Sequence, residues 1–139
     1  MRKAFFDTNI LIDYYDNRPG ASDVHALFRV ARAGGISIFA SILTFANFAY
    51  VAKHNHTKEQ VYSELDRLER LISVLPMDRA QLRTAIDTPC KDFEDMLQYQ
   101  CAKAANCDYI VTNDRRHYDF SDISHFTSID FVANLEEFL

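Results

Sequence analysis

Short apolar runs alternate with helical patterns along this chain, and that alternation restricts the folds it can adopt. Ala4-Phe5-Phe6 is the first run, Ile36 to Ala40 is the second, and Tyr109 to Thr112 is a later one. Their apolar residues are contiguous, as in strands that are covered on both faces. Between them, apolar residues recur at helical spacing. The pattern predicts an α/β fold with a central, mainly parallel sheet flanked by helices.

Element boundaries follow from this periodicity and from residues that begin or end helices. Strands are predicted over residues 3–6, 36–40, 74–75, 108–112 and 125–128. Helices, with their N-caps included, are predicted over residues 9–16, 22–33, 57–73, 78–86, 92–105 and 130–138. One more helix begins at Ser41 or Thr44 and ends near Lys53. The expected N-caps include Ser22, Asp78, Asp92 and Asp130.

The composition fits one compact domain. The chain has 139 residues, 48% of them hydrophobic, which is enough for one core, so residues 1–139 are expected to form a single domain. The formal net charge is −5. This charge argues against strong non-specific binding to nucleic acid, which depends on many Lys and Arg side chains at phosphates, but it does not exclude a nuclease.

The cysteines and the apolar segments bear on the cellular compartment. Three cysteines without a C-x-x-C pair argue against a disulfide framework or a zinc ribbon. The apolar run before Asp7 is too short for a signal peptide, and no segment approaches the roughly 18 apolar residues of a membrane span. We therefore expect a reduced, soluble, cytoplasmic protein.

Three aspartates stand where a parallel sheet would bring them together. Asp7 directly follows the first strand, and Asp95 lies in the first turn of the helix that leads into the strand before Asp114. Because the carboxyl ends of parallel strands share one edge, where ligands bind, these carboxylates are expected to converge. Converging carboxylates repel one another unless a cation holds them. The pattern therefore predicts a site for a hard divalent ion such as Mg²⁺ or Mn²⁺.

Each aspartate also has a purely structural interpretation. Asp7 could cap the helix that follows it, and Asp92 with Asp95 three residues later resembles a capping box. Asp114 could be a turn residue after a strand. The joint pattern, with all three acids directed to one sheet edge, favours the metal site.

Four segments carry a resemblance to a known family. They are Phe6 to Asp13, Ser41 to Thr44, Asp92 to Gln98, and Cys107 to Asp114. In this order and spacing they resemble PIN-domain proteins, and especially the small VapC-type toxins of bacterial and archaeal toxin–antitoxin pairs. The resemblance spans nearly the whole chain and implies a three-layer α/β/α PIN-like fold.

The resemblance also implies an activity, a Mg²⁺- or Mn²⁺-dependent endoribonuclease that hydrolyses RNA phosphodiester bonds. It implies a homodimer and a cognate antitoxin protein as partners. The positions that match the family's acidic metal site are Asp7, Asp95 and Asp114. The positions that match its supporting residues, which orient the acids and their loop through hydrogen bonds, are Thr8, Asn9 and Thr112. Arg115 and Arg116, next to the last acid, are expected to contact the RNA backbone.

One position departs from the family pattern. The family usually carries a Glu in the helix after the Ser-x-x-Thr opening, and Asn47 stands at that position here. Asn47 is still expected at the catalytic site, because its carbonyl oxygen can ligate a hard cation or hold a bound water, but it supplies no negative charge. Glu94 is adjacent to Asp95, so it is expected to point about 100° away around the helix axis and to be a surface or structural residue.

This departure leaves other functions open. The first alternative is a PIN-fold RNA- or protein-binding protein with weakened or lost nuclease activity. A second is an aspartyl-phosphate enzyme or receiver domain, because Asp7 ends a strand; the second acid that such phosphatases need is replaced by Asn9. A third is a protein-binding module in which the acids are only caps. The acidic constellation and the four segments favour the nuclease over all three.

Overall fold

The computed structural model describes residues 1–139, and strands alternate with helices as the sequence predicts. The strands are β1 (Lys3–Phe6), β2 (Ser37–Ser41), β3 (Ser73–Leu75), β4 (Tyr109–Val111) and β5 (Ser124–Phe126). The helices are α1 (Thr8–Tyr15), α2 (Ala21–Arg32), α3 (Ile42–Ala52), α4 (Lys58–Leu71), α5 (Arg79–Asp87), α6 (Phe93–Ala104), α7 (Ser128–Ala133) and α8 (Leu135–Phe138), with a 3₁₀ turn over Arg115–Tyr118.

All five strands join one sheet in the order β3-β2-β1-β4-β5, and every neighbouring pair is parallel. β1 is the central strand, with Phe5 opposite both Phe39 of β2 and Ile110 of β4. The chain moves outward from β1 through β2 and β3, then crosses back to β4. The strand order therefore reverses beside β1, and a crevice opens at the carboxyl ends of β1 and β4, where such sheets bind ligands.

Phe5 and Phe6 show how the sheet divides the core into two layers. Successive side chains of a strand point to opposite faces. Phe6 packs in a core beneath α1 to α4 and α7, whereas Phe5 packs in a smaller core with residues of α5, α6 and the 3₁₀ turn. Both phenylalanines are fully buried. The arrangement is the three-layer α/β/α fold that the resemblance implies.

Two predicted helix caps are wrong. α2 begins at Ala21 rather than after Ser22, because the carbonyl of Gly20 already accepts from the amides of Asp23 and Val24, both at 3.1 Å. The C-terminal helix is two short helices, and Thr127 rather than Asp130 caps the first of them: the Thr127 hydroxyl accepts from the Asp130 amide at 3.1 Å.

No helix of the protein combines the length and the apolar character needed to cross a membrane.

Candidate active site

An acidic cleft of about 290 Å³ lies at the carboxyl edge of the sheet, beside β1 and β4. Six carboxylates line it, on Asp7, Asp13, Asp92, Glu94, Asp95 and Asp114. Arg18 and His117 line it as well, with Thr8 and Asn9 on its α1 side. The cleft therefore combines a high density of negative charge with few compensating cations, which is the electrostatic setting of a cation site.

Asp7 is held in place from both sides. Its backbone amide donates to the carbonyl of Val111 at 3.0 Å, which extends the pairing of β1 with β4. Its carboxylate accepts from the backbone amide of Thr8 at 2.8 Å, so Asp7 does cap α1. Capping and a place in the cleft are thus compatible in one residue. Burial raises the pKa of Asp7 and the nearby charge of Asp114 raises it further, against the lowering effect of the hydrogen bonds from Thr8 and Thr112.

Thr112 and Asn9 tie Asp7 to Asp114. The buried hydroxyl of Thr112 donates to the Asp7 carboxylate at 2.9 Å and accepts from the Asp114 amide at 3.0 Å. The side-chain amide of Asn9 donates to Asp7 at 3.2 Å and to Asp114 at 3.1 Å. The orientation of that amide is fixed because its oxygen accepts from the backbone amide of Asn113 at 3.0 Å. These bonds set the separation of two carboxylates that would otherwise repel.

Asp95 enters the cleft from the first turn of α6. The side chain of Asp92 caps this helix and accepts from the Asp95 amide at 3.3 Å. Asp95 is only 6% exposed, and burial, followed by the negative charges of Asp7 and Asp92, raises the pKa of its carboxyl to about 7. The Asp7 charge acts on Asp95 even though the two residues lie on different elements, so the structure brings them together.

Asp92, Asp95 and His117 form the tightest cluster of potential ligand atoms. One ligand atom from each lies within 4.8 Å of the others. The Nδ1 atom of His117 lies 2.8 Å from the buried Oδ2 of Asp95, in ion-pair contact but without hydrogen-bond geometry. A buried carboxylate oxygen needs a compensating group, which an imidazolium or a bound cation can supply. The donor set of carboxylates and one imidazole fits a divalent cation.

Glu94 is a surface residue, as the sequence predicts, and it also lines the cleft. Its carboxylate accepts from the side-chain amide of Asn47 at 2.8 Å. Burial raises the pKa of Glu94, and the charges of Asp7 and Asp92 raise it further. Its place at the cleft was not predicted, because the first turn of α6 forms one wall of the cleft and residues about 100° apart on that turn both border it.

Asn47 hydrogen-bonds Glu94 but is not among the residues that line the cleft. At this contact the carboxylate comes from α6, and α3 supplies an amide.

A buried polar cluster fastens α6 to α3. The side-chain oxygen of Gln98 accepts from the hydroxyl of Ser41, and its nitrogen donates to the hydroxyl of Thr44 at 2.8 Å. All three side chains are fully buried. Ser41 is also the N-cap of α3 and accepts from the Thr44 amide at 3.1 Å. The cluster fixes how the helix that carries Glu94 lies against the helix that carries Asn47.

The predicted RNA contacts lie elsewhere. Arg115 and Arg116 are exposed on the 3₁₀ turn and do not line the cleft, and Arg115 borders a different cavity near β5. Their contact with RNA stays a prediction. Arg18 and His117 line the cleft but were not predicted, because neither has a local pattern that would place it at the sheet edge.

A buried tyrosine behind the acids was not predicted either. Tyr118 is fully buried, and its hydroxyl is near the Asp7 carboxylate without a close, well-aligned hydrogen bond. Burial raises the pKa of Tyr118, and the charges of Asp7 and Asp95 raise it further. Its position one residue beyond His117, at the end of the 3₁₀ turn, explains how that turn is anchored under the cleft.

Comparison with known proteins agrees with the fold and the order of the motifs. Ribonuclease VapC1 of Aquifex aeolicus (strain VF5) is 29% identical to this chain over 136 residues, which is 93% of this chain and 92% of that protein. A chain of the VapBC2 structure from Rickettsia felis, bound to a DNA fragment from its promoter, superposes with a TM-score of 0.66 at 19% identity, over 90% of this chain and 98% of that chain. PAE2754 from Pyrobaculum aerophilum superposes with a TM-score of 0.65 at 15% identity, over 98% of this chain and 96% of that one.

The strongest assignment comes from the family model of the PIN domain, which matches residues 3–116. That range runs from the start of β1 to Arg116, two residues beyond Asp114. It therefore includes all six acids that line the cleft. The match covers most of the chain, and the parallel sheet with its acidic carboxyl edge agrees with it. The chain belongs to the PIN-domain family.

Proposed function

We propose that this protein is a Mg²⁺- or Mn²⁺-dependent endoribonuclease, the cytoplasmic toxin of a toxin–antitoxin pair. The observation that carries the proposal is the convergence of carboxylates from β1, α6 and the segment after β4 in one cleft of a PIN-domain chain. The likeness to Ribonuclease VapC1 supports RNA as the substrate. The likeness to chains of VapBC complexes supports an antitoxin as the partner.

The donor set supports a metal-dependent reaction. Asp7, Asp95 and Asp114 would hold the cation, with Glu94 as a further carboxylate and with Asp92 and His117 at the rim. A bound divalent ion supplies activation of a water molecule and neutralisation of charge on the phosphoryl oxygens. The Oδ2 atom of Asp95 supports this assignment, because it is buried, accepts no hydrogen bond and lies beside the His117 imidazole.

Hydrogen bonds from neighbouring residues would hold the acidic side chains at fixed positions for the reaction. Thr112 and Asn9 fix the Asp7 carboxylate relative to Asp114, which is the kind of hydrogen bonding that tunes metal ligands. Thr8 holds the other oxygen of Asp7 through its backbone amide. Hydrolysis would then depend mainly on positioning and on stabilisation of the developing charge.

The alternative of a PIN fold without nuclease activity rests on the missing Glu at position 47. Glu94 weakens that alternative, because its carboxylate borders the cleft beside Asn47 and adds the negative charge that Asn47 lacks. We therefore propose Asn47 as a positioning residue for Glu94.

The proposal is tested by cleavage of a panel of structured RNAs with Mn²⁺ and with Mg²⁺. Wild type is compared with Asp7→Asn and Asp95→Asn, and with Asp66→Asn as the matched control, since Asp66 is an exposed acid on α4 outside the cleft. We expect the rate of metal-dependent cleavage to fall at least about 100-fold in Asp7→Asn and Asp95→Asn, and to be unchanged in Asp66→Asn. Folded wild type that cleaves no RNA with either metal would refute the nuclease.

The partner and the oligomeric state need separate tests. We expect the protein to co-purify with a short DNA-binding protein encoded immediately upstream and to lose cleavage in that complex. We also expect the free protein to run as a homodimer in light scattering. A monomer that forms no complex with any neighbouring gene product would instead point to a stand-alone PIN ribonuclease.

A further inference from the structure

Arg18 is the one permanently charged cation among the residues that line the acidic cleft. The other basic residue there, His117, is in contact with Asp95. RNA brings a phosphate for every nucleotide, and six carboxylates repel it. A bound cation offsets that repulsion near the scissile phosphate only. A second positive group at the rim is therefore the natural contact for a neighbouring phosphate.

The donors of Arg18 are available for such a contact. Its guanidinium faces Asp13 at 3.6 Å and Asp16 at 3.4 Å, both longer than the roughly 2.7–3.2 Å of a direct N–H···O hydrogen bond. Its side chain is 51% exposed. Arg67 is different, because it donates to both oxygens of Glu64, at 2.9 and 3.1 Å, and to the hydroxyl of Tyr14. Asp13 and Asp16 orient the Arg18 guanidinium, but its N–H groups make no short hydrogen bond to either carboxylate.

The backbone around Arg18 is fixed. Its amide donates to the carbonyl of Asp13 at 2.8 Å, and its carbonyl accepts from Ala21 at 3.0 Å. Asn17 before it and Gly20 after it hold left-handed conformations, with φ of 52° and 95°. A Cβ on Gly20 would come within 2.8 Å of the Ser128 hydroxyl, so the turn is packed against α7. Because the turn is fixed, binding through Arg18 orders the side chain but not the backbone.

We propose that Arg18 binds a backbone phosphate of the RNA next to the scissile one, while Asp13 and Asp16 hold the guanidinium at the cleft rim. This inference rests on the proposed ribonuclease function. The planar fork of Arg matches phosphate geometry, and the contact carries no base information, so Arg18 contributes affinity independent of sequence.

The test measures RNA binding rather than turnover. Asp7→Asn protein, which is expected not to cleave, is titrated into a labelled mixed-sequence single-stranded RNA at fixed Mg²⁺ and several salt concentrations. We expect Arg18→Ala in this background to raise Kd about tenfold. We expect it to lower the magnitude of the slope of log K against log salt by about 0.7, the value for one phosphate contact on a single strand.

Arg70→Ala in the same background is the matched control. Arg70 is an exposed arginine with an ion pair of similar length, 3.3 Å to Asp66, and it lies outside the cleft. Its Kd should stay within about twofold of the parent, because a distant charge is screened by salt. If Arg18→Ala is not folded, Arg18→Gln keeps a donor toward Asp13 and Asp16, and the same rise in Kd is expected from it.

The outcomes separate this inference from the function on which it rests. The Arg18 contact is contradicted if Arg18→Ala and Arg70→Ala, both in the Asp7→Asn protein, bind RNA with equal Kd while wild type still cleaves it. The ribonuclease function would then still stand. A wild type that cleaves no RNA, with a parent that binds none, overturns the ribonuclease and this inference with it.

Discussion

Asn47 donates its side-chain amide to Glu94 at 2.8 Å, and this bond joins α3 to the first turn of α6 at the edge of the acidic cleft. A carboxylate at position 47 would face Glu94 with like charge. An amide instead gives Glu94 a hydrogen bond in place of that repulsion. The carboxylate at this edge of the cleft thus comes from α6 and not from α3.

The first prediction concerns the charge of Glu94. Glu94→Gln should lower metal-dependent cleavage about tenfold and raise the Mn²⁺ concentration needed for half-maximal rate, because the cleft loses one of six carboxylates. Glu69→Gln is the matched control, since Glu69 is exposed on α4 away from the cleft. Cleavage of Glu94→Gln equal to that of the control would show that Glu94 is only a hydrogen-bond partner of Asn47.

Asn47→Glu provides the second prediction. In EDTA this variant should unfold at lower temperature than wild type, because two carboxylates then meet where one amide and one carboxylate met. Added Mn²⁺ should restore more stability to the variant than it adds to wild type. Thermal unfolding with and without metal measures both effects, and Asn47→Ala separates the repulsion from simple loss of the hydrogen bond. Equal unfolding temperatures for Asn47→Glu and Asn47→Ala in EDTA would contradict the repulsion.

The Gln98 cluster leads to a third prediction, on stability. Gln98→Leu should cost about 2 kcal/mol, because the buried hydroxyl of Ser41 loses the acceptor, and that of Thr44 the donor, that Gln98 supplies. Thr44→Val combined with Gln98→Leu should cost less than the sum of the two single changes, since both remove the same bond. Urea unfolding of the four proteins measures the coupling. Strictly additive free energies of unfolding would contradict it.

The sequence was sufficient where local pattern determines position. Asp7 and Asp114 are placed by the ends of strands, and Asp95 by a helix start, so their convergence follows from the strand order of a parallel sheet. The caps at Asp78 and Asp92 follow from the same local chemistry, and both are confirmed.

The sequence was not sufficient where helices meet. The contacts of Asn47 with Glu94 and of Ser41 with Gln98 join residues that are 47 and 57 positions apart, and they depend on how α3 crosses α6. No periodicity encodes that crossing. Arg18 reaches the cleft only because an irregular turn after α1 takes a particular path. Such residues can be assigned only from the assembled structure.

His117 leads to a fourth prediction, on metal preference. His117→Ala should weaken Mn²⁺ binding about tenfold and change Mg²⁺ binding little, because Mg²⁺ prefers oxygen ligands and keeps several waters, whereas transition metals accept imidazole. Calorimetric titration of the metal-free protein with each ion measures this. His54→Ala is the control, as His54 is exposed at the end of α3. A loss of the same size for both ions would mean that His117 acts only by orienting Asp95.

The fifth prediction concerns pH and metal-free stability. Burial and the charges of Asp7 and Asp92 raise the pKa of Asp95 from 3.8 to about 7, so the folded protein retains a proton that the unfolded chain releases. Stability from this group is therefore fully present below the ordinary carboxyl pKa, is lost as pH rises, and is gone above about pH 7.

In EDTA, Asp95→Asn should raise the Tm at pH 8 by about 5 °C, on the order of 1–2 kcal/mol, and should have little effect at pH 4. Asp66→Asn, which alters an exposed acid, should do neither. Thermal unfolding from pH 4 to pH 8 measures the difference, and Mn²⁺ should abolish it by stabilising the charged form in wild type. Parallel Tm curves for wild type and Asp95→Asn across this range would contradict the assignment.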